Sequence, residues 1–406
     1  MPGKSPYRVL LVTDHNGERV PFLLDKRSGI PLTEVNQWRL LARRGRCQHA
    51  TLKREMLEIS FLYRWAFDRG IDLQVRMNSG EGIRTSETTD LADYLRQNFT
   101  ENIQNSRVPR HVGRVVQQQR FATIRIFLTW WMDIVLERIP QDRKESHLRF
   151  VRIKEHRDRM LRWLDPPSGK SSSREGLTPT LRKRFLQVIH PDSPENPWNR
   201  NSRLRNYVMF ALYIWLGPRL SELLLLKCHH VNLDRRRSTL LIERAPDDPE
   251  DPRADAPEAK TLGRELPIPD SLVRYLREYM RTVRPHIGAA KMHPFLFVAY
   301  PDGAPLSKRA VQHLLEQLRS RHPEFNEVLT VHVLRNCWAD MMRARLREMV
   351  RNKEIDSEFA KLLFNYLGGW THGSFQSDKY SSGEIRRTAD EALISIHDEI
   401  FDVATL

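Results

Sequence analysis

The chain has 406 residues, 40% of them hydrophobic and 9% aromatic, which predicts two or three domains with sizeable cores. With 29% charged residues on top of that apolar fraction, an intrinsically disordered chain is excluded. Lys and Arg total 66 against 51 Asp and Glu, a net charge of +15, and such an excess points to nucleic acid, an anionic membrane or an acidic partner.

The N-terminal stretch reads as a β-hairpin. Tyr7–Thr13 and Arg19–Leu24 are apolar, β-prone runs, and Asn16-Gly17 between them suits a tight turn of type I′. Pro21 marks the second run as an edge strand. A short helix is expected from Thr33, with Val35, Trp38 and Leu41 at helical spacing. From Ala50, Leu52, Met56, Ile59, Leu62, Tyr63 and Ala66 recur at three- and four-residue steps until Gly70 stops the run. A second strong helix is expected over Val112 to Leu136, with Val115, Val116, Ile124, Phe127 and Leu128 as its core face. Arg107, Arg110, Arg114, Arg120 and Arg125 lie in and before it, and guanidinium groups so spread suit a phosphate backbone. A solvated basic face is the equal alternative.

Asp165–Gly176 is rich in Pro, Gly and Ser and reads as a connector; Arg182, Lys183 and Arg184 follow it and add to the basic surface. Helices are expected near 178–189 and 203–215, then a Gly217-Pro218 turn and a helix over Leu220–Leu226. Two β-type runs, Ser238–Glu243 and Arg264–Ile268, flank an acidic, Pro-rich stretch from Pro246 to Glu258, expected to be a disordered insertion in a hairpin. The rest is mostly helical. No apolar run reaches the roughly 18–20 residues of a membrane span, and residues 1–30 lack the pattern of a secretory leader. The three cysteines, Cys47, Cys228 and Cys337, suit a reducing compartment without disulfides. Cys228-His229-His230 lacks the paired spacing of a structural zinc site, and no Gly-rich phosphate loop is present. No metal and no cofactor are expected.

Three segments hold chemically interesting groups: Gly217-Pro-Arg219-Leu-Ser-Glu222, His332-Val-Leu-Arg335, and Leu367-Gly-Gly-Trp370-Thr-His372, with Tyr380 beyond. Arg219 sits where a turn gives way to a helix, so a guanidinium and backbone N–H groups can face one anion. A spacing of three puts His332 and Arg335 on one helix face. Singly, each has an ordinary structural explanation.

Taken in order, with Leu177-Thr-Pro179 ahead of them and Lys260 before Arg264-Glu-Leu-Pro267, these blocks resemble the tyrosine recombinases, the phage-integrase-type family of site-specific DNA recombinases. The resemblance covers about residues 177–385; segment 50–165 is similar in pattern to the family's core-binding domain. It implies a mainly α fold: a helical core-binding domain plus a mostly helical catalytic domain with a small antiparallel β-sheet, of the DNA breaking-rejoining type, here behind a short N-terminal β-hairpin. The expected divisions are 1–45 (hairpin and helix extension), 46–164 (core DNA-binding domain), 165–176 (linker), 177–388 (catalytic domain) and 389–406 (helical tail).

The family's chemistry assigns Arg219 and Arg335 to the non-bridging oxygens of a phosphodiester, Tyr380 to nucleophilic attack, Lys260 to protonation of the leaving 5′ oxygen and His332 to acid–base work, with Glu222 in support. Two departures stand out. Gly369 occupies the place of the family's third-box His, so His372, or Trp370 next to it, is the expected substitute. Asn336 stands where a second His often follows the Arg. The resemblance implies double-stranded DNA as partner, a homotetramer on DNA with room for partner recombinases, no membrane, and a cytoplasmic, nucleoid-associated site of action. The readings set against a strand-transfer enzyme are a non-catalytic DNA-binding accessory protein on the same scaffold and a type IB topoisomerase-like enzyme. The tail from Ala389 is expected to pack on its own domain, although the family also docks such tails on a neighbouring protomer.

Overall fold

The computed structural model describes residues 5–99, 111–140, 142–164, 175–234, 238–244, 248–259, 262–326, 328–370 and 382–401. The chain divides into two compact units, Met1–Ser172 and Ser173–Leu406. Among the described residues no helix is long and apolar enough to cross a membrane.

In the first unit, strands β1 (Tyr7–Thr13) and β2 (Arg19–Asp25) pair antiparallel with Thr13 opposite Arg19. The connection is not the two-residue type I′ turn read from Asn16-Gly17. The Asp14 carboxylate accepts the N–H groups of Asn16 and Glu18, and Gly17, at φ 83°, donates to the Asp14 carbonyl. That is a type I turn closed by a left-handed glycine, the three-residue hairpin loop.

Helices α1 (Thr33–Trp38), α2 (His49–Asp68), α3 (Leu73–Ser79), α4 (Thr85–Arg96), α5 (Arg114–Glu137) and α6 (Lys144–Trp163) follow. The periodic residues of α2, from Leu52 to Ala66, are all buried. All of them except Leu52 share one core with Tyr7, Leu23, Val35 and Trp38 of the hairpin segment and with Ile124, Phe127 and Leu128 of α5, so the hairpin is cemented to the helices. Val115 and Val116 are exposed, contrary to the expected core face.

The second unit opens with α7 (Pro179–Ile189), capped by the Thr178 hydroxyl, and α8 (Arg200–Leu216), buried along nearly its whole length. After α9 (Leu220–Leu224) comes an antiparallel sheet in the order β3 (Val231–Asn232), β4 (Thr239–Ile242), β5 (Arg264–Pro267). Helices α10 (Asp270–Glu278), α11 (Lys308–Arg321), α12 (Val331–Arg351), α13 (Ser357–Gly368) and α14 (Ser382–Phe401) complete the unit. The molecule is thus mainly α with small antiparallel sheets.

The acidic stretch departs from the disordered insertion expected of it: residues 248–259 are folded. Lys227 meets Asp248 at 2.8 Å and Glu250 at 2.6 Å. Arg253 holds Asp251 while donating to the carbonyls of Leu306 and Leu224, and Ala259 packs with Leu225 and Phe295. Lys227 from outside the stretch and Arg253 from within it neutralise what composition alone reads as repulsive.

Helix α14 places Ala389, Ala392, Leu393 and Ile396 in the unit's own core, so through these residues the terminal helix packs in cis. Leu393→Ala should therefore destabilise the second unit by about 3 kcal/mol, the cost of a buried leucine cavity. A drop in the urea midpoint at unchanged slope would show it, and an unchanged midpoint would contradict the packing.

Candidate active site

Helix α8 ends at Gly217, whose φ of 59° turns the chain so that Pro218 and Arg219 lead into α9. The close approach of Trp338 demands a residue without a side chain here, because a Cβ on Gly217 would overlap the indole. Glu222, in the first turn of α9, accepts the backbone N–H of Arg219 at 2.8 Å and its Nη1 at 3.5 Å. This is half of a capping box, and it anchors the start of the arginine side chain while leaving the guanidinium one-third exposed.

Arg335 opens the second turn of α12, whose N-terminus is capped by Thr330. It is buried at 8% exposure, donates Nη1 to the Gly217 carbonyl and donates Nη2 to the Gly368 carbonyl at 3.1 Å. Arg219 Nη1 donates to the same carbonyl at 3.2 Å. Two guanidiniums from different helices therefore share one acceptor. Burial first, and the neighbouring Arg219 second, lower the Arg335 pKa to about 10, so at neutral pH this guanidinium keeps its charge. His332, one turn ahead of Arg335 in α12, is exposed.

The shared acceptor is the C-terminal end of α13. Gly369 N–H bonds to the Tyr366 carbonyl and Trp370 N–H to the Asn365 carbonyl, each at 3.0 Å, and Gly369 sits at φ 63°. This Schellman ending explains the glycine where the family's His is expected: the position demands a left-handed residue. It also throws Trp370 back over the helix end, stacked on Phe364 at 5.0 Å. Trp370 then lies 5.1 Å from the Arg335 guanidinium and 5.8 Å from that of Arg219, which makes it the aromatic wall of the site.

Lys260, His372 and Tyr380, like Arg107 and Arg110, lie outside the described residues. Of the other basic residues singled out, Arg114 is exposed, and Arg125, Arg182 and Lys183 are partly so. Arg184 is engaged with Glu195 and Glu324. Arg120 requires correction as a phosphate ligand. It is buried, donates to the carbonyls of Leu95 at 2.8 Å and Gln97 at 2.7 Å, and lies over the Phe61 ring. Spacing along a helix cannot separate an arginine that ties off carbonyls from one that faces solvent. Arg120→Ala is expected to lower the stability of the first unit by about 2–3 kcal/mol by orphaning those carbonyls, and denaturant melts would measure it.

Sequence reasoning missed two contributors. One is the Gly368 carbonyl, which no side-chain motif announces. The other is Arg264 on β5, quoted within a β-prone run and a family block but given no role. It donates to Glu222 at 3.0 and 3.3 Å from full burial. The triplet Cys228-His229-His230 forms a short turn in which His230 Nδ1 accepts the Lys227 N–H and Nε2 faces Glu243 at 3.2 Å. Among the described residues no group of three metal-ligating side chains assembles.

Comparison with known proteins gives one family: the sequence model of the phage integrase family matches residues 183–349. No curated protein matches the chain. Among solved structures, the chain is similar to the Tn1549 transposon integrase in complex with transposon right-end DNA. That likeness has 15% identity and a TM-score of 0.48, covering 88% of this chain and 98% of the other. It is also similar to the XerH site-specific recombinase in a post-cleavage complex with a palindromic difH substrate, at 13% identity and TM-score 0.47, over 88% and 80% of the two chains. A lambda integrase dimer bound to a core site is similar at 14% identity and TM-score 0.43, over 86% and 98%. Residues 183–349, which contain Arg219, Glu222, His332 and Arg335, therefore carry the sequence pattern of the phage integrase family.

Proposed function

We propose that the chain is a site-specific DNA recombinase that cleaves and rejoins double-stranded DNA through a 3′-phosphotyrosyl intermediate. The observation that carries this reading is the convergence of Arg219 and Arg335 on one carbonyl oxygen, at 3.2 and 3.1 Å. A pair of forked cations at one point is what a phosphodiester's non-bridging oxygens require. As a strand is cut, the phosphorus passes through a five-coordinate arrangement with extra negative charge on those oxygens, and preset guanidiniums stabilise that charge.

In this reading the Tyr380 hydroxyl gives its proton to His332 as general base and attacks phosphorus. The new phosphorus–phenol bond forms as the bond to the 5′ oxygen breaks, and Lys260 gives that oxygen a proton. His332 serves as the acid–base group beside Arg335, and Trp370 or His372 replaces the third-box histidine. The ester keeps the energy of the broken bond, so a partner strand's 5′-hydroxyl reverses the step without ATP, and the arginines supply the charge a metal otherwise would. Strand exchange within a homotetramer on DNA, with partner recombinases admissible, follows from the same reading.

Backbone recognition falls to Arg107, Arg110, Arg114, Arg125, Arg182 and Lys183. Replacing Arg114 and Arg125 by Gln should reduce the slope of log affinity against log salt by about 1–2, near 0.9 for each lost phosphate contact on duplex DNA. Titration by fluorescence anisotropy at four salt concentrations would measure it, and an unchanged slope would remove both residues from the interface.

The test of function is a suicide substrate, a duplex nicked near the cleavage site so that the short leaving fragment diffuses away. Wild-type protein should accumulate a denaturation-resistant protein–DNA adduct, and Tyr380→Phe should form none. Binding without an adduct would establish the accessory reading instead. Relaxation of a supercoiled plasmid of random sequence would establish the topoisomerase reading.

A further inference from the structure

We infer that Arg264 is a positioning residue for the reaction: by saturating the buried Glu222 carboxylate it leaves the Arg219 guanidinium free to serve the scissile phosphate. The inference rests on the reading above. Arg264 stands on β5 opposite Ile242 of β4. Its side chain is 1% exposed and that of Glu222 0%, so neither reaches DNA.

The geometry separates the two arginines that surround this carboxylate. Arg264 gives Glu222 a two-armed fork at 3.0 and 3.3 Å. Arg219 gives it a backbone N–H at 2.8 Å and a guanidinium contact of only 3.5 Å. The stronger guanidinium contact of Arg219 goes instead to the Gly368 carbonyl beside Arg335. A buried carboxylate without a full counter-charge is costly and draws in the nearest cation. In this site that cation is Arg219.

Counting charge leads to the same assignment. Arg219, Arg264 and Arg335 surround one carboxylate, and the Arg264–Glu222 pair cancels internally. Among the described residues two guanidiniums, Arg219 and Arg335, remain without a carboxylate of their own and share the Gly368 carbonyl. A phosphodiester brings one negative charge and its five-coordinate arrangement a second, so the surplus matches the charge that develops during cleavage rather than that of the resting DNA. Arg264 thus acts through Glu222 and Arg219, without touching substrate.

The experiment is a single-turnover cleavage assay on two suicide substrates, a normal phosphodiester and a methylphosphonate in which one non-bridging oxygen is a neutral methyl group. Arg264→Met should slow cleavage of the phosphodiester by roughly 30-fold or more, with DNA affinity within about threefold of wild type, as expected when stabilisation is lost mainly in the transition state. On the methylphosphonate, which develops less charge, the deficit should shrink to about threefold. Adding Glu222→Gln to Arg264→Met should recover most of the loss, because the competing carboxylate is gone.

Should Arg264→Met fail to fold, Arg264→Lys, which keeps the charge, carries the same contrast. It should lose about tenfold on the phosphodiester, one arm of the fork being absent, and nothing on the methylphosphonate. Wild-type rates in the folded variant overturn the inference, as does an equal loss on both substrates or a loss that Glu222→Gln does not relieve. If wild-type protein forms no adduct with either substrate, the functional reading itself fails, an outcome distinct from all of these.

Discussion

Arg335→Ala should slow strand cleavage by about three orders of magnitude, the upper range for losing one preorganised donor to a developing oxyanion. The residue does more than present charge. It bridges the carbonyls of Gly217 and Gly368, so it ties the turn before α9, which positions Arg219, to the end of α13. Arg335→Lys should recover only about tenfold of that loss, since an ammonium is a point charge and lacks the rigid fork that reaches two acceptors at once. Single-turnover cleavage of the suicide substrate, with affinity measured separately, provides the check. Cleavage by Arg335→Ala within tenfold of wild type would show that the phosphate is held elsewhere.

Much of this architecture was legible in the sequence because its signals are local and repetitive. The steps from Leu52 to Ala66 identify a buried helical face, and that face is buried. The β-type runs Ser238–Glu243 and Arg264–Ile268 become two paired strands. What escaped depends on partners distant in sequence. Lys227 pairs with Asp248 and Glu250 from outside the acidic stretch, and Arg253 ties the stretch to the carbonyls of Leu306 and Leu224, so composition alone misread it as disordered. Arg120 finds its acceptors about 25 residues upstream, at Leu95 and Gln97, and helical spacing could not reveal them.

The candidate site divides along the same line. Order and spacing singled out Arg219 and Arg335, which share an acceptor in the folded chain. The acceptor is a main-chain carbonyl, and the residue type at Gly368 gives no hint of it. Gly369 looked like a defect in the third box, yet its φ of 63° makes it a requirement of how α13 ends. Trp370 follows from that ending, because the left-handed turn places the indole against both guanidiniums.

Gly217→Ala should strongly destabilise the second unit. Two costs add. At φ 59° an alanine adopts a left-handed conformation that disfavours a Cβ by about 1–2 kcal/mol. The same Cβ would overlap the Trp338 indole, which is fully buried and stacked on Phe364 at 5.8 Å, so relief requires moving the core. Overpacking of this kind adds about 1–3 kcal/mol, for a total near 2–5 kcal/mol. Cleavage should suffer beyond the loss of stability, because the Gly217 carbonyl accepts from Arg335 and the turn it makes aims Arg219. The companion Trp338→Leu separates the two costs. Paired with Gly217→Ala it removes the steric overlap but not the backbone strain, so the double variant should be more stable than the sum of the single changes by about 1–2 kcal/mol. Chemical denaturation of the four proteins measures the coupling. Strict additivity would mean that the indole yields without cost and that the left-handed backbone alone explains the glycine.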